Sequence, residues 1–443
     1  MLTRICLSLA LIAAPPIWSQ ATVDDEAQML VPPPVSGIAY PTMVGSEMRS
    51  NYLTAGFILN TAYDDNILAG GSAIPIRDIS YSMWPTITFN VTTPRQQRML
   101  TYSPGFTFYQ HTSALNATDQ NAALNFQSRL SQHTTISFND SFQKTSNAFS
   151  QPYSLSGGAI SGSTQSEPTG VIAPYADRLS NSGNMGLTHQ FSRNGMVGFG
   201  GIVTQSRYPK PAEATGLYNS NSLGSSAFYS QRLSNAQYVG LTYQYLRSQG
   251  VPVNAQANPM NARTEVQTHA LLTFYTIYLN PTFSLSLSAG PQHVHAYQSL
   301  SPAFRSWMPF AMASVGWQRN NTNLVASYSR TVTGGMGLPG AFDTSTTSAS
   351  VSWQITRTWD FGSTASYTNN KNITLAFIPY TPGGHAVSGT ASVQHSISDN
   401  FKAELGFVRL HQSYSSIAVI SNAPDSDREY ISVSYQFTRA LGR

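Results

Sequence analysis

Side chains able to do acid–base or metal chemistry are sparse and scattered in this chain of 443 residues. His293 and His295 share one face of an extended segment, but two imidazoles do not complete a metal site. His189 and His395 fall on the apolar face of their segments, where a membrane-barrel hydrolase would hold its base beside a serine. No Gly-x-Ser-x-Gly, His-Glu-x-x-His or phosphate-binding glycine loop occurs. The sequence therefore predicts no enzyme, no catalytic residue, no metal and no cofactor.

Asp64, Asp65 and Asn66 are the strongest candidate for an ion site. Three oxygen-bearing side chains in a row could contribute to Ca²⁺ binding, because that ion prefers carboxylate and amide oxygens. Six or more ligands are needed, and no calcium-loop pattern follows these residues. A plain turn at the entrance of a loop is the favoured interpretation, and a weak cation site is the alternative.

The composition excludes several classes of protein. Charged residues make up only 10% of the chain, and Ser, Thr, Asn, Gln, Gly and Tyr replace them. Aromatic residues make up 11%, which argues against a disordered chain. No apolar run of 18 residues follows residue 25, so a helical membrane span is not expected. No Lys/Arg-rich run is present, so we predict no nucleic-acid partner.

The N-terminal residues resemble a secretory signal. Arg4 supplies a positive charge, residues 5–14 are apolar, and Ser19-Gln20-Ala21 fits a signal-peptidase site, so we predict a signal peptide over 1–21 with cleavage after Ala21. Cys6, the only cysteine, would then be absent from the mature chain, which excludes disulfides. Residues 22–50 are Pro-rich and predict an extended periplasmic lead-in to a single domain over 51–443.

Strict alternation of apolar and polar residues dominates that domain. In 431–437 the residues Ile431, Val433, Tyr435 and Phe437 alternate with Ser or Gln, and 120–130, 238–245 and 283–289 repeat the pattern. Successive side chains of a strand face opposite ways, so each segment has an apolar face and a polar face. A soluble sandwich, propeller or adhesin solenoid would show charge on its outer face. The uncharged polar face here favours a water-filled interior.

Short and long connections alternate along the chain. Tight turns are predicted near 93–95, 131–133, 192–194, 234–236, 280–281, 320–322, 356–358 and 398–400. Longer connections are predicted at 65–75, 111–118, 148–176, 208–219, 249–262, 298–304, 334–342, 371–383 and 412–427. This asymmetry is typical of outer-membrane barrels. The predicted fold is all-β: a transmembrane antiparallel up-and-down barrel of about 18 strands, with 16–18 compatible and both termini periplasmic.

Two short segments resemble known outer-membrane proteins. Residues 430–437 are similar to the terminal strand that the barrel-assembly machinery reads, although residues 438–443 extend beyond the usual final aromatic. Thr61-Ala62-Tyr63-Asp64-Asp65-Asn66-Ile67 resembles the tyr-asp-x-asn first-strand segment of the β-barrel porin-2 type family. Some members of that family are associated with exopolysaccharide export. The resemblance implies an outer-membrane barrel and says little about its activity.

The polar face predicts which side chains line the lumen. The predicted lumen-lining residues are Asn125, Gln127, Arg129, Thr188, Gln190, Gln267, His269, Thr273, Ser352, Gln354, Lys402 and Glu404. Charges among them are sparse and of both signs, so the pore should discriminate weakly by charge. The long connection 148–176, with Gly157, Gly158, Gly162 and Glu167, could fold inward as a constriction or remain a surface loop. Stacking of sugars inside the pore would require aromatic rings on the polar face. The residues with the sequence parity for that face are Tyr52, Trp84, Tyr238 and Tyr275.

These observations leave three hypotheses of function. The first is a porin-like barrel for passive diffusion of small solutes. The second is an outer-membrane component associated with exopolysaccharide export, and the third is a structural or adhesive barrel. Expected partners are outer-membrane lipid and lipopolysaccharide, the barrel-assembly machinery and small solutes. The sequence leaves open whether the barrel is monomeric or a homo-oligomer.

Overall fold

A computed structural model describes residues 51–67, 75–146, 176–214, 216–254, 263–280, 282–298, 302–334, 337–374, 383–415 and 425–440. These ranges form one antiparallel sheet of eighteen strands. The strands are β1 (Tyr52–Asp64), β2 (Asp78–Thr92), β3 (Gln96–Tyr109), β4 (Ala117–Arg129), β5 (Thr134–Thr145), β6 (Arg178–Gln190), β7 (Gly195–Arg207), β8 (Tyr218–Ser234), β9 (Gln237–Pro252), β10 (Thr264–Asn280), β11 (Phe283–Gln298), β12 (Phe304–Arg319), β13 (Thr322–Thr333), β14 (Phe342–Gln354), β15 (Trp359–Asn372), β16 (Gly384–Ser396), β17 (Phe401–Tyr414) and β18 (Ser426–Ala440).

The sheet closes on itself. Each strand pairs with the next in the chain, and β1 pairs with both β2 and β18. The closing seam runs from Tyr52 opposite Ala440 to Asp64 opposite Arg428. This confirms the predicted all-β up-and-down barrel of about 18 strands. The final strand also continues past Phe437, because residues 438–440 pair with the start of β1.

The eight predicted tight turns and nine longer connections separate the strands as expected. The turn after β2 shows why such residues reverse the chain. The backbone N–H of Thr93 donates to the carbonyl of Gln96 at 2.7 Å, and the Thr93 hydroxyl accepts the Gln96 N–H at 3.0 Å. At the turn after β12, Asn320 adopts φ 46°, a left-handed conformation that Asn tolerates better than most residues.

Helix is almost absent from the described ranges. They contain a 3₁₀ turn, Ser113–Leu115, between β3 and β4. No helix in this part of the chain is long and apolar enough to cross a membrane. The predicted signal peptide and lead-in, residues 1–50, lie outside the described residues.

The two faces of the barrel wall differ in polarity. On β18 the outward Ile431 and Phe437 are 61% and 50% exposed, while the inward Ser432 is 8% exposed. The same outward exposure recurs around the wall, at Leu59, Met83, Ile87, Leu100, Phe199, Leu223, Leu271 and Leu405. Apolar surface in water costs about 25 cal/mol per Å². A continuous belt of such side chains therefore fits an apolar surrounding.

Placing a charge on this outer face should destabilise the barrel. Leu59 is outward and 46% exposed near the middle of β1. We expect Leu59→Arg to lower the free energy of unfolding in lipid vesicles by about 2–4 kcal/mol, the range for a cation at the bilayer midplane. Ser434→Arg, on the inner face, is the control and should cost less. Denaturant titration followed by fluorescence measures both, and equal losses would contradict the assignment of faces.

Candidate functional site: the barrel interior

Hydroxyl and amide side chains pair across neighbouring strands on the inner face. Examples are Thr88–Thr101 at 3.1 Å, Ser222–Ser248 at 2.8 Å, Ser327–Ser348 at 2.7 Å and Ser366–Ser388 at 2.7 Å between oxygens. Each pair occupies directly opposed positions of its two strands. Such pairs satisfy polar groups without net charge. The inner wall can therefore hydrogen-bond to water or neutral solutes with little preference for either sign of charge.

Large aromatic rings on the inner face lie over glycines of the adjacent strand. A Cβ on Gly105 would meet the Trp84 ring at 2.4 Å, and one on Gly406 would meet the Tyr430 ring at 2.3 Å. Gly198 beneath Phe228 and Gly240 beneath Phe274 repeat this arrangement. The glycines let each ring lie close against the wall.

The predicted lumen residues divide between the two faces. The inner-face positions, by strand register, are Asn125, Gln127, Arg129, Thr188, Gln190, Ser352, Gln354, Lys402 and Glu404. Arg129 sits at the short-turn end, where its guanidinium donates to the carbonyls of Ser131 and Gln132. Glu404 is 6% exposed and accepts a hydrogen bond from the Tyr430 hydroxyl at 2.8 Å.

Three predicted lumen residues were assigned to the wrong face. Gln267, His269 and Thr273 point outward on β10, and His269 lies 2.7 Å from the Tyr243 hydroxyl. The inner face of β10 instead carries Val266, Ala270, Leu272 and Phe274, which are all buried. The inner face of this strand is apolar at these four positions because it packs against protein, and Thr264 and Thr268 are buried beside them. Tyr275 shares the outward face, whereas Tyr52, Trp84 and Tyr238 occupy inner positions.

Asp64, Asp65 and Asn66 make contacts across the closing seam. The Asp64 carboxylate lies 3.7 Å from the Arg428 guanidinium, and both side chains are 3% exposed. The Asp65 carboxylate accepts the Asp427 N–H at 2.8 Å, and the Asn66 amide donates to the Asp425 carbonyl at 3.2 Å. Among the described residues, no group of three or more His, Cys, Asp or Glu is placed to hold a metal ion. These three side chains therefore bond to residues 425–428 at the end of the β1–β18 seam.

The hairpin formed by β13 and β14 bends into the barrel. Pairing between β12 and β13 stops at Ala311 opposite Arg330. Beyond that point the backbone N–H of Val332 donates to the Gln292 side chain of β11 at 3.0 Å, and the Gln292 amide donates back to the Val332 carbonyl at 3.4 Å. Because Gln292 faces inward from β11, β13 must cross the inner face of β12 to reach it. The Gln292 side-chain amide thus makes the hydrogen bonds that the backbone of a neighbouring strand would otherwise make.

Apolar packing supports the bent hairpin. Val332 and Ala341 pack in one buried cluster with Val266, Val294 and Ala296 of the inner wall. Phe304, Met308 and Ile373 pack against the same cluster. The face of the hairpin that carries Val332, which would point outward if β13 continued along β12, thus covers the inner wall of β10–β12. This packing accounts for the apolar Val266 on the inner face of β10, whereas Ala270 and Leu272 pack with Phe310 and Met312 of β12.

The tip of the hairpin reaches strands farther round the wall. The Gly337 carbonyl accepts the Tyr218 N–H at 2.9 Å, and a Cβ on Gly334 would lie 2.3 Å from that of Ser248. Leu338 shares a buried cluster whose other members are Ala176, Tyr208, Ala214, Leu217, Phe342 and Tyr414. The tip therefore joins the β8–β9 wall to the β14–β17 wall across the long-loop mouth.

Sequence analysis missed one segment that turns inward. Gly157, Gly158, Gly162 and Glu167 of the 148–176 connection lie outside the described residues. Gly334, Gly337 and Leu338 of the β13–β14 connection reach into the mouth, and sequence analysis treated this segment as an ordinary connection. Their sequence signal is local: Gly337 and Gly340 adopt φ 99° and 104°, which favours glycine. Their inward direction depends on contacts with distant strands.

A small ion-pair network holds the β7–β8 connection at the same mouth. The Lys210 ammonium lies 3.1 Å from Asp177 and 3.2 Å from Glu213. These hydrogen bonds raise the pKa of Lys210. Burial pushes the pKa of Asp177 upward, but hydrogen bonds from Ser146 and Lys210 outweigh it, so its pKa is lowered. The network therefore favours the charged form of both groups.

His189 and His395 lie on the outer face, as their apolar parity suggested. The His189 ring nitrogen is 3.0 Å from the Thr134 hydroxyl. His395 stacks on Trp359 with 4.3 Å between ring centroids, and its Nδ1 lies 3.2 Å from the Thr358 carbonyl oxygen. These contacts are typical of the polar and aromatic girdle near a strand end.

Comparison with known proteins finds only distant structural likeness. No family model and no curated protein matches the chain. Among solved structures, the ferric citrate transporter FecA in its unliganded form is 12% identical with a TM-score of 0.44; the likeness covers 87% of this chain and 64% of that chain. This chain therefore spans slightly less than two thirds of the transporter's length.

Two smaller barrels are covered over nearly their whole length. OccAB4 from Acinetobacter baumannii is 8% identical, with a TM-score of 0.42 over 89% of this chain and 100% of that chain. OpdK from Pseudomonas aeruginosa, solved with vanillate, is 8% identical, with a TM-score of 0.40 over 87% and 99%. Likeness at this level says nothing about the solute or mechanism of this chain.

Gly105 should be intolerant of a side chain. Because Trp84 occupies the space of its missing Cβ, Gly105→Ala must displace the ring, and we expect a loss of about 1–3 kcal/mol in unfolding free energy, as for other overpacked sites. Gly201→Ala is the control, since its nearest neighbour would be 3.9 Å from the new Cβ. Unfolding titrations with tryptophan emission report both effects. Identical behaviour of the two variants would contradict this packing.

The Lys210 network should act only over a limited pH range. Because its pKa is lowered in the folded protein, ionised Asp177 stabilises the fold at pH values above the ordinary aspartate pKa near 3.8. This stabilisation is lost as the pH falls through the lowered pKa. We expect Lys210→Met to speed amide exchange in 208–217 at pH 7 by an amount equivalent to at most about 1 kcal/mol, because the lysine is largely exposed. In strong acid the difference should vanish. Exchange mass spectrometry at both pH values tests this, with Arg193→Met as control.

Proposed function

We propose that the chain spans a bacterial outer membrane as a channel for passive diffusion of small, mainly uncharged solutes. One observation carries this proposal: a closed hydrogen-bond ladder separates an exposed apolar outer belt from an inner face of paired hydroxyls and amides. A closed barrel can satisfy its backbone in lipid, whereas an open sheet leaves polar edges. A barrel of eighteen strands also falls in the size range that leaves an aqueous channel.

The inward hairpin supports a selective channel rather than a wide one. Gly334, Gly337 and Leu338 of the hairpin tip join opposite parts of the mouth. This arrangement would limit solutes by size at the outer end. The hydroxyl pairs below it would hydrogen-bond to neutral solutes without strong charge selection. Export of the chain through a signal peptide cleaved after Ala21 belongs to the same proposal.

Shortening the hairpin tip should widen the channel. We expect replacement of residues 334–341 by Asn-Gly to raise single-channel conductance in planar bilayers severalfold, because it removes Gly334, Gly337 and Leu338, whose contacts span the mouth. The control replaces Ser113–Leu115 by Gly-Gly, which shortens another long connection that packs little against the barrel. Conductance of that control should equal that of the unaltered protein.

Two outcomes would contradict the proposal in different ways. Purified protein that forms no discrete channels in any of the three forms would rule out the diffusion function and leave a structural or adhesive barrel. If the protein forms channels but the hairpin replacement leaves their conductance unchanged, the pore is retained and the hairpin is not its constriction. Reversal potentials in salt gradients should show weak selection between cations and anions.

A further inference from the structure

At the long-loop end, the exterior of β9–β12 carries cationic and imidazole side chains. His293 and His295 share the outward face of β11, and His269 of β10 lies directly opposite His293. Arg305 of β12 lies opposite His295. We call this outward-facing area the arginine–histidine patch. Its members are Arg247, Arg263, His269, His293, His295 and Arg305.

The deeper level of the patch is a continuous row of rings. Tyr245, His269, His293 and Trp307 occupy successive opposed positions across β9, β10, β11 and β12. Ring centroids are 4.9 Å apart between Tyr245 and His269, and 5.1 Å apart between His293 and Trp307. Trp307 is 68% exposed. Such a row of amphipathic rings is typical of the girdle where a barrel meets the lipid–water interface.

The charged groups lie on the long-loop side of this row. Arg247, Gln267, His295 and Arg305 occupy the next opposed outward positions, two residues or about 7 Å farther along each strand. On the other side of the rings, Leu271 is outward and 54% exposed. From the middle of the barrel toward the long loops, the exterior is thus apolar, then aromatic, then cationic.

The patch has more positive than negative groups. The Glu265 carboxylate lies 2.9 Å from the Arg247 guanidinium and so neutralises one arginine. The Arg263 guanidinium donates to the Gln249 side chain at 2.9 Å. Arg305 is exposed and has no acidic partner among the described residues. Three guanidiniums therefore face one carboxylate, and a surplus of arginine at a membrane surface attracts anionic lipid.

The exterior of β17–β18 shows the opposite arrangement. There the Arg409 guanidinium forms ion pairs with both Asp425 and Asp427, and His411 also contacts Asp425. These carboxylates neutralise the cations of that side. A positive surplus is therefore not a general property of the long-loop rim, and the patch on β9–β12 requires its own explanation.

We propose that the arginine–histidine patch binds the phosphorylated sugar headgroup of a glycolipid in the outer leaflet. A guanidinium donates two parallel hydrogen bonds to phosphate oxygens, and Arg305 is available for this contact. The sugar would lie against the row of rings, and the acyl chains would contact Leu271 and the apolar belt below it. The inference rests on the proposed outer-membrane location, but it does not require passage of any solute through the lumen.

The test measures lipid binding to the purified protein by native mass spectrometry in detergent. The probes are diphosphoryl lipid A, the same lipid after removal of its phosphates, and inorganic phosphate. Arg305→Gln removes the unpaired guanidinium, and Arg305→Lys keeps the charge without the planar fork. Arg409→Gln is the matched control, because it removes an outward arginine that carboxylates already neutralise. Heat-dependent mobility on gels verifies that each barrel is folded.

Loss of phosphate or of Arg305 should weaken binding by similar factors. We expect Arg305→Gln to raise the Kd for diphosphoryl lipid A about tenfold, the effect of losing a hydrogen bond to a charged group. Arg305→Lys should raise the Kd less, and Arg409→Gln should leave it unchanged. The unaltered protein should bind the dephosphorylated lipid about tenfold more weakly than the diphosphoryl form.

Several results would overturn the glycolipid site. Equal affinity of the unaltered protein for both lipids does so without any variant, and so does equal affinity of Arg305→Gln and Arg409→Gln for diphosphoryl lipid A. Displacement of the lipid by inorganic phosphate would indicate a site for the free ion instead. Paired barrels that Arg305→Gln separates would show that a second copy occupies the patch. Conductance in planar bilayers tests the proposed channel independently, so either proposal can fail alone.

Discussion

Closure of the backbone hydrogen-bond ladder is the constraint on which the rest of this structure depends. The seam between β1 and β18 joins the two ends of the domain along the full length of β1. Without it, both terminal strands would expose polar edges to whatever surrounds the apolar belt. The contacts of Asp64, Asp65 and Asn66 lie at the long-loop end of this seam. The polar side chains of these three residues thus bond across the seam and help to join the two ends of the domain.

Most of the architecture could be predicted because its signals are local. Alternation with a period of two defines a strand, and turn-forming residues such as Thr93 and Asn320 interrupt it at regular spacing. A barrel adds only the requirement that short and long connections alternate. The closing pair needs no separate signal, because an even count of antiparallel strands brings the termini together. These features survive changes in solute or partner, so they identify the fold better than the function.

The interior was less predictable because polarity alone does not identify a face. On β10, Gln267, His269 and Thr273 suggested an aqueous inner face, yet they point outward. On the opposite face of the strand, Val266 is buried against a hairpin that belongs to β13 and β14, more than fifty residues later in the chain. No local sequence pattern on β10 predicts contact with the β13–β14 hairpin. The role of Gln292 could not be predicted either. An inward glutamine looks like a lumen-lining residue until its hydrogen bond to the Val332 backbone is known.

The bent hairpin interrupts the hydrogen-bond ladder between β12 and β13, and its contacts show how the lost hydrogen bonds are compensated. Bending β13 away from β12 removes regular ladder bonds, and each lost pair must be replaced or hydrated. The Gln292 amide replaces two of them, and burial of Val332 and Ala341 adds apolar contact on the same side. The edge of β12 receives no equivalent replacement among the described residues. Among the described residues, the compensation is therefore on the side of the hairpin, which hydrogen bonds and apolar packing hold inside the barrel.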